Sequence, residues 1–228
     1  MHGQNDNRSD AISIQQGTFG QEIPAHKVLR NTYGLLGMTI GFAAIMTMVG
    51  IALNLGFISA LVFSLIGFGL LFVVDRTADS AKGLFFIFAF TGIEGLALAP
   101  LVGAYLKSPA GALIVTQALA ATSLVSLVLS AYAIKSGKDF SYMRGFLLTG
   151  LIVMLVASIA NIFLHMPALH LAIAAGGAII ASGLILFDTS RIINGGETNY
   201  IRATLSLFLD IKLLFVSLLQ LLGAANDD

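Results

Sequence analysis

Between residues 32 and 222 the sequence is a succession of apolar runs with very little between them. A helix crosses a bilayer with about 20 mostly apolar residues. Seven stretches meet that length, at roughly 32–54, 57–74, 84–106, 110–134, 142–164, 168–190 and 200–222. In hydrocarbon every backbone polar group must be paired within the protein, so open strands are excluded. The alternating pattern of a membrane barrel is absent. The predicted fold is an all-α membrane protein with seven transmembrane helices. Composition agrees: 11% of residues are charged, against about 25% in soluble domains.

Residues 1–27 are polar and lack the apolar core of a secretory signal. They read as a flexible cytosolic tail, with residues 28–228 forming the transmembrane domain. Twelve basic and twelve acidic residues leave no net charge, so there is no overall basic field for nucleic acid. The absence of cysteine removes disulfides, thiol catalysis and thiolate metal sites. No phosphate loop, nucleophile elbow or zinc-protease helix is present. The expectation is a protein that is not an enzyme and needs no cofactor, with the lipid bilayer as its first partner. His165 and His170 flank Pro167 without the i, i+4 spacing of a helical metal pair. Gly195 to Glu197, "GGE", reads as a turn.

The links between spans alternate in charge. One set holds Arg8, Lys27, Arg30, Arg76, Lys82, Lys135, Lys138, Arg144, Arg191 and Arg202, and the other holds only Lys107. Positive residues stay cytoplasmic, which predicts a cytoplasmic N-terminus and, with seven spans, an external C-terminus. The external links are very short, "NLGF", "LKSPA" and "HMPA". They predict three hairpins, of spans 1–2, 3–4 and 5–6, leaving span 7 without a hairpin partner. Glycines recur within the spans and allow close helix approach.

Four ionisable residues fall inside or near the ends of spans: Glu94, Asp188, Asp210 and Lys212. A charge at the bilayer centre costs about 3 kcal/mol or more, so such groups face protein or water. Asp210 and Lys212 stand two residues apart and point to nearly opposite sides of span 7. Neither side then suits lipid, which places span 7 in the middle of the bundle. Glu94, mid-span in "FTGIEGLALAP", is the candidate partner for Lys212. Ser206, Asp210 and Ser217 share one face at helical spacing. Asp210 lies about 15 Å along its helix, and Asp188 lies near the same end of span 6. The two aspartates are therefore expected to face each other across that hairpin. Facing carboxyls in a poorly hydrated site share one proton more readily than they ionise together. Losing that proton creates repulsion, or an oxygen-lined site suited to a transient calcium ion. The alternative for Asp188 is an i, i+3 pair with Arg191.

The stretches "AHKVLRNTYGLLG", "FAFTGIEGLALAPL", "SAYAIKSGKDFSYMRGFL", "ANIFLHMPALHLAI" and "LILFDTSRIINGGETNYIRATLSLFLDIKLLFVSLLQLLG" resemble the Bax-inhibitor-1 (TMBIM) family, and within it the proteobacterial YccA-type branch. The resemblance extends from His26 to Gly223. It implies seven helices with the seventh enclosed by the others. It also implies a calcium leak with a di-aspartyl pH sensor, falling here on Asp188 and Asp210, and an arginine latch whose nearest match is Arg76. For the YccA-type branch it further implies a membrane-anchored AAA+ protease as partner, with the N-terminal tail as its handle. The oligomeric state stays open.

Overall fold

The computed structural model describes residues 25–226. They form α1 (Ala25–Ala52), α2 (Phe57–Thr77), α3 (Lys82–Leu106), α4 (Gly111–Ser136), α5 (Arg144–Leu164), α6 (Pro167–Ile193) and α7 (Tyr200–Asn226), with one 3-10 turn, Ser141–Met143, before α5. All seven helices are long and apolar enough to cross a membrane. The helix ends follow local chemistry. Pro167 opens α6 at a position where its missing N–H is not needed. Gly137 closes α4 in the left-handed region. Helix α1 begins at Ala25, so residues 25–27, expected in the tail, are helical. The remainder of the expected tail lies outside the described residues.

Helix α7 is the central element. It packs against α1, α2, α3, α4 and α6, and most extensively against α6. Helix α5 packs on α6 and makes no close backbone approach to α7, leaving a cleft between them. The short turn between α1 and α2 does not make those helices packing partners: both lie against α3 instead. The reason is on the α1–α3 interface. A side chain at Gly95 would strike the backbone of Ala43, and one at Gly92 would strike Phe42. Thr47 Oγ1 donates to Gly95 O at 2.9 Å. Small residues bring these two backbones together, and no comparable notch joins α1 to α2. The outer faces of α2 and α5 are apolar, with Leu65 and Phe163 more than 70% exposed. They are lipid-facing surfaces.

The core runs along α7. On the Tyr200 side of the molecule Phe90 stacks edge-on against Phe208, with ring centres 5.8 Å apart. Val74, Ile87, Ile192, Ile201 and Leu207 surround them. Towards the other end Val102, Ile114 and Leu219 form a second cluster. Ala181, Ile185 and Leu214 fill the seam between α6 and α7.

Candidate functional site: a buried carboxyl pair

Asp188 and Asp210 come from adjacent helices, one turn and a half from the end of α6 and nearly three turns into α7. Both residues are buried, at 8% and 5% exposure. Their carboxyls lie within hydrogen-bonding reach of each other. Asp210 Oδ2 is enclosed and meets no hydrogen-bond partner among the described residues. Two ionised carboxylates cannot hydrogen-bond, whereas a protonated carboxyl donates strongly to a carboxylate. The arrangement thus suits one proton held between the two acids.

Both acids line a cavity of about 500 Å³, together with Leu151 of α5, Leu184 of α6, and Ser206 and the stem of Lys212 on α7. Its wall is mostly apolar, and the acids and Ser206 are its polar patch. Asp188 has a second neighbour. Arg191 Nη1 donates to Asp188 Oδ1 at 3.1 Å, while Nη2 lies 3.6 Å from Glu197 Oε2. The guanidinium also lies over the Phe187 ring, 5.6 Å from its centre, a favourable cation–π placement. Asp188 therefore faces Asp210 on one side and Arg191 on the other, and the two expectations for it hold together.

The "GGE" turn positions that second neighbour. Gly195 adopts φ 75°, where glycine is favoured. Gly196 N and Glu197 N then donate back to Arg191 O at 2.8 and 3.1 Å. Glu197 is thereby wrapped against Arg191. Its Oε1 accepts from Asn199 N at 2.9 Å. Asn199 Oδ1 in turn accepts from Ile201 N and Arg202 N at 2.8 and 3.2 Å, the pattern of an N-cap. Asn199 Nδ2 donates to Asp79 Oδ1 at 2.8 Å and to Ala78 O at 3.0 Å. Arg202 adds ion pairs to Asp75 at 3.0 Å and Asp79 at 2.7 Å. A continuous polar chain thus runs from the aspartate pair to the link between α2 and α3. These bonds, Asn199 first and Arg202 next, hold the exposed Asp79 carboxyl below its ordinary 3.8.

Arg76 is exposed at the end of α2. Among the described residues no hydrogen bond or ion pair joins it to either aspartate, and the guanidinium on Asp188 is that of Arg191. Arg76 leaves α2 on the solvent side, whereas Arg191 stands one turn after Asp188 on the same helix face. Lys212 Nζ donates to Glu94 Oε2, joining α7 to α3 on the side away from Asp210. Gly67 of α2 closes over the Glu94 carboxyl, and a Cβ there would meet Glu94 Oε1. His165 ends α5 in the left-handed region with Nδ1 beside Phe163 O at 3.1 Å, and His170 is exposed. Among the described residues no three His, Asp or Glu side chains gather as a metal cluster.

Sequence reasoning missed Glu197, Asn199 and Arg202 as parts of the site. Asn199 carried a readable signal, since Asn directly before an apolar helical run is a preferred cap. The contacts across to Asp75 and Asp79 carried none, because the partners stand 120 and 127 positions apart.

Comparison with known proteins gives a consistent result. The family profile described as "Inhibitor of apoptosis-promoting Bax1" matches residues 25–227. An uncharacterised membrane protein of Vibrio cholerae is 48% identical over 90% of this chain and 93% of its own length. The "Modulator of FtsH protease YccA" of Escherichia coli K12 is 46% identical over 90% of this chain and 94% of its own. An uncharacterised protein of Pseudomonas aeruginosa is 44% identical over 88% and 90%.

Proposed function

The chain belongs to the Bax inhibitor-1 family of membrane proteins, and from that premise we propose that it is a proton-sensitive leak for small cations, calcium among them, gated by Asp188 and Asp210. The observation that carries this reading is the burial of two carboxyls within hydrogen-bonding reach, one with an oxygen that meets no donor. With one proton between them the pair ties α6 to α7. Without it, like charges in a poorly hydrated site repel. The seam then opens or takes a cation. Calcium prefers six to eight oxygen ligands, so two carboxyls with neighbouring hydroxyls and carbonyls suit passage better than permanent residence. Arg191, one turn from Asp188, takes the latch position in this reading. The protein works without a resident cofactor and without catalysis. It sits in the bacterial inner membrane, N-terminus in the cytoplasm and C-terminus outside.

Purified protein in liposomes tests the gate. Calcium flux should rise with pH, by up to about tenfold per unit for one titrating proton. Asp210→Asn should flatten that response. A pH-dependent flux unchanged in Asp210→Asn rejects the gate.

A second reading is regulation of a membrane-anchored AAA+ protease, supported by the name of the Escherichia coli relative, a modulator of FtsH protease. The two are compatible: the leak uses the interior of the bundle, and the protease would meet the tail and the cytoplasmic surface. Co-purification with the protease, and slower turnover of its substrates when this protein is abundant, are the expected results.

A further inference from the structure

Helix α5 is held on one side only. Among the seven helices it makes close backbone contact with α6 alone, and Leu147 is its one buried residue. Glycines set that contact. A Cβ at Gly183 would strike Leu147, one at Gly150 would strike Ile180, and one at Gly177 would meet Met154. Small residues thus seat α5 on α6, and the cleft towards α7 stays open.

The cleft changes character along its length. Asp188 and Ser206 lie nearest the Tyr200 end, Asp210 follows one turn after Ser206, and Leu213 and Val216 come last. From Ser206 to Val216 the helix rises about 15 Å. The walls, Leu151, Leu184, Leu209, Leu213 and Val216, are only half-buried. Beyond them Ile152 and Leu155 of α5 are more than half exposed, on the lipid-facing surface. At this depth the surroundings are hydrocarbon, so an occupant of the cleft arrives sideways from the bilayer.

Charge selects the kind of occupant. The carboxyls at the cleft and next to it are those of Asp188, Asp210, Glu197 and Glu94. The cations are Arg191, engaged by Asp188 and Glu197, and Lys212, engaged by Glu94. With one proton held between the aspartates, one negative charge is left unbalanced. Asp210, in the cleft wall and more than nine-tenths buried, has in Oδ2 an oxygen without a donor. Water would supply the donor and leave the charge, which is costly away from bulk solvent. A primary ammonium supplies a positive charge and three N–H donors.

We propose that the cleft is a binding site for long-chain amines, with the ammonium on Asp188 and Asp210 and the alkyl tail along Leu213 and Val216. Its volume, about 500 Å³, suits a small molecule. The site shares its acids with the leak reading above but requires no ion to pass between them.

The chain contains no tryptophan, so Leu151→Trp places a single fluorophore in the cleft wall of the full-length protein. Leu155→Trp is the control, at a position 62% exposed on the lipid side of the same helix. Both proteins, in phosphatidylcholine nanodiscs, are titrated with ω-bromododecylamine or ω-bromododecanol, whose bromine quenches indole on contact. The amine is charged at neutral pH, as a lysine side chain is. Relative to position 155, the amine should quench at 151 at about a tenfold lower mole fraction than the alcohol, the effect of one charge-assisted hydrogen bond. Asp188→Asn together with Asp210→Asn should remove that preference. Equal quenching by amine and alcohol at 151 would mean a crevice for acyl chains only, and no quenching by either a closed seam. Each overturns the proposal, as does a preference that survives the paired asparagine variant. Should Leu151→Trp fail to fold, Val216→Trp on the facing wall carries the same comparison. An amine preference alongside an unchanged pH response of flux in Asp210→Asn would retain the site and discard the gate. A flattened response without the preference would do the reverse.

Discussion

Single side chains inside this bundle have consequences that the same residues on a soluble surface would not. Glu94 and Lys212 form an ion pair between α3 and α7, with side-chain exposures of 7% and 23%. Removing one partner of a buried pair typically costs about 3–5 kcal/mol, because the other charge is left unpaired, whereas replacing both with apolar residues is often neutral. Lys212→Met should therefore lower the detergent-solubilised melting temperature more than the Glu94→Leu, Lys212→Met double variant does. A double variant as unstable as the single would show that the pair is not the source of the loss. Gly67 is tied to the same pair. Gly67→Ala drives a methyl into Glu94 Oε1, and overpacking of this kind costs about 1–3 kcal/mol. Much of that cost should vanish when Glu94 is also shortened to Ala. Melting curves of the single and double variants measure the difference.

At the level of helices, what fixes α7 against the rest is the clamp at its first turn. Asn199 caps α7 and reaches Asp79 and Ala78, while Arg202 holds Asp75 and Asp79. Losing an N-cap costs about 1 kcal/mol, so Asn199→Ala should speed hydrogen exchange at the start of α7. It should also do so in the link that begins at Ala78, which plain loss of a cap would not. The Asp79 carboxyl is held below its ordinary 3.8. A carboxyl depressed in the folded state contributes above its unfolded value, and the contribution is lost as pH falls through the lower folded value. The clamp should therefore loosen only below about pH 3.8, and Asp79→Asn should remove that acid limb of link protection in a hydrogen-exchange pH series. The helices themselves were legible, since length and hydropathy alone define a span. Central placement of α7 was legible because Asp210 and Lys212 point to opposite sides. Pairing between helices was not: a short turn forces α1 and α2 to neighbour at one end only, and Gly92, Gly95 and Thr47 hold α1 on α3. The carboxyl pair was legible as two acids towards the same end of adjacent spans, but its arginine and the relay beyond it depend on a turn that sequence spacing leaves open.

For the molecule as a whole, the links that join α2 to α3, α4 to α5 and α6 to α7 are bound to one another at one end. Phe140 N donates to Ser190 Oγ at 3.0 Å, Asn194 Nδ2 reaches Lys138 O at 3.4 Å, and Asn199 and Arg202 hold the α2–α3 link. That end carries Lys82, Lys138, Arg144, Arg191 and Arg202, while the opposite links carry only Lys107. An excess of positive charge near span ends keeps them cytoplasmic. In the proposed topology seven spans put Ala25 and Asn226 on opposite sides of the membrane. In the proposed orientation the start of α1 at Ala25 lies on the same side of the membrane as the clamp and Arg191. In the proposed orientation the external end offers a partner, among the described residues, three short links and the end of α7. A C-terminal alkaline phosphatase fusion should accordingly be active and a C-terminal fluorescent protein dark, with the converse for fusions after Lys138. Deleting residues 1–24 should abolish protease association while leaving liposome flux intact, because that segment precedes the first described helix of the bundle. Loss of flux on that deletion would mean that the tail takes part in the bundle, and the separation of the two proposed activities into interior and surface would fail.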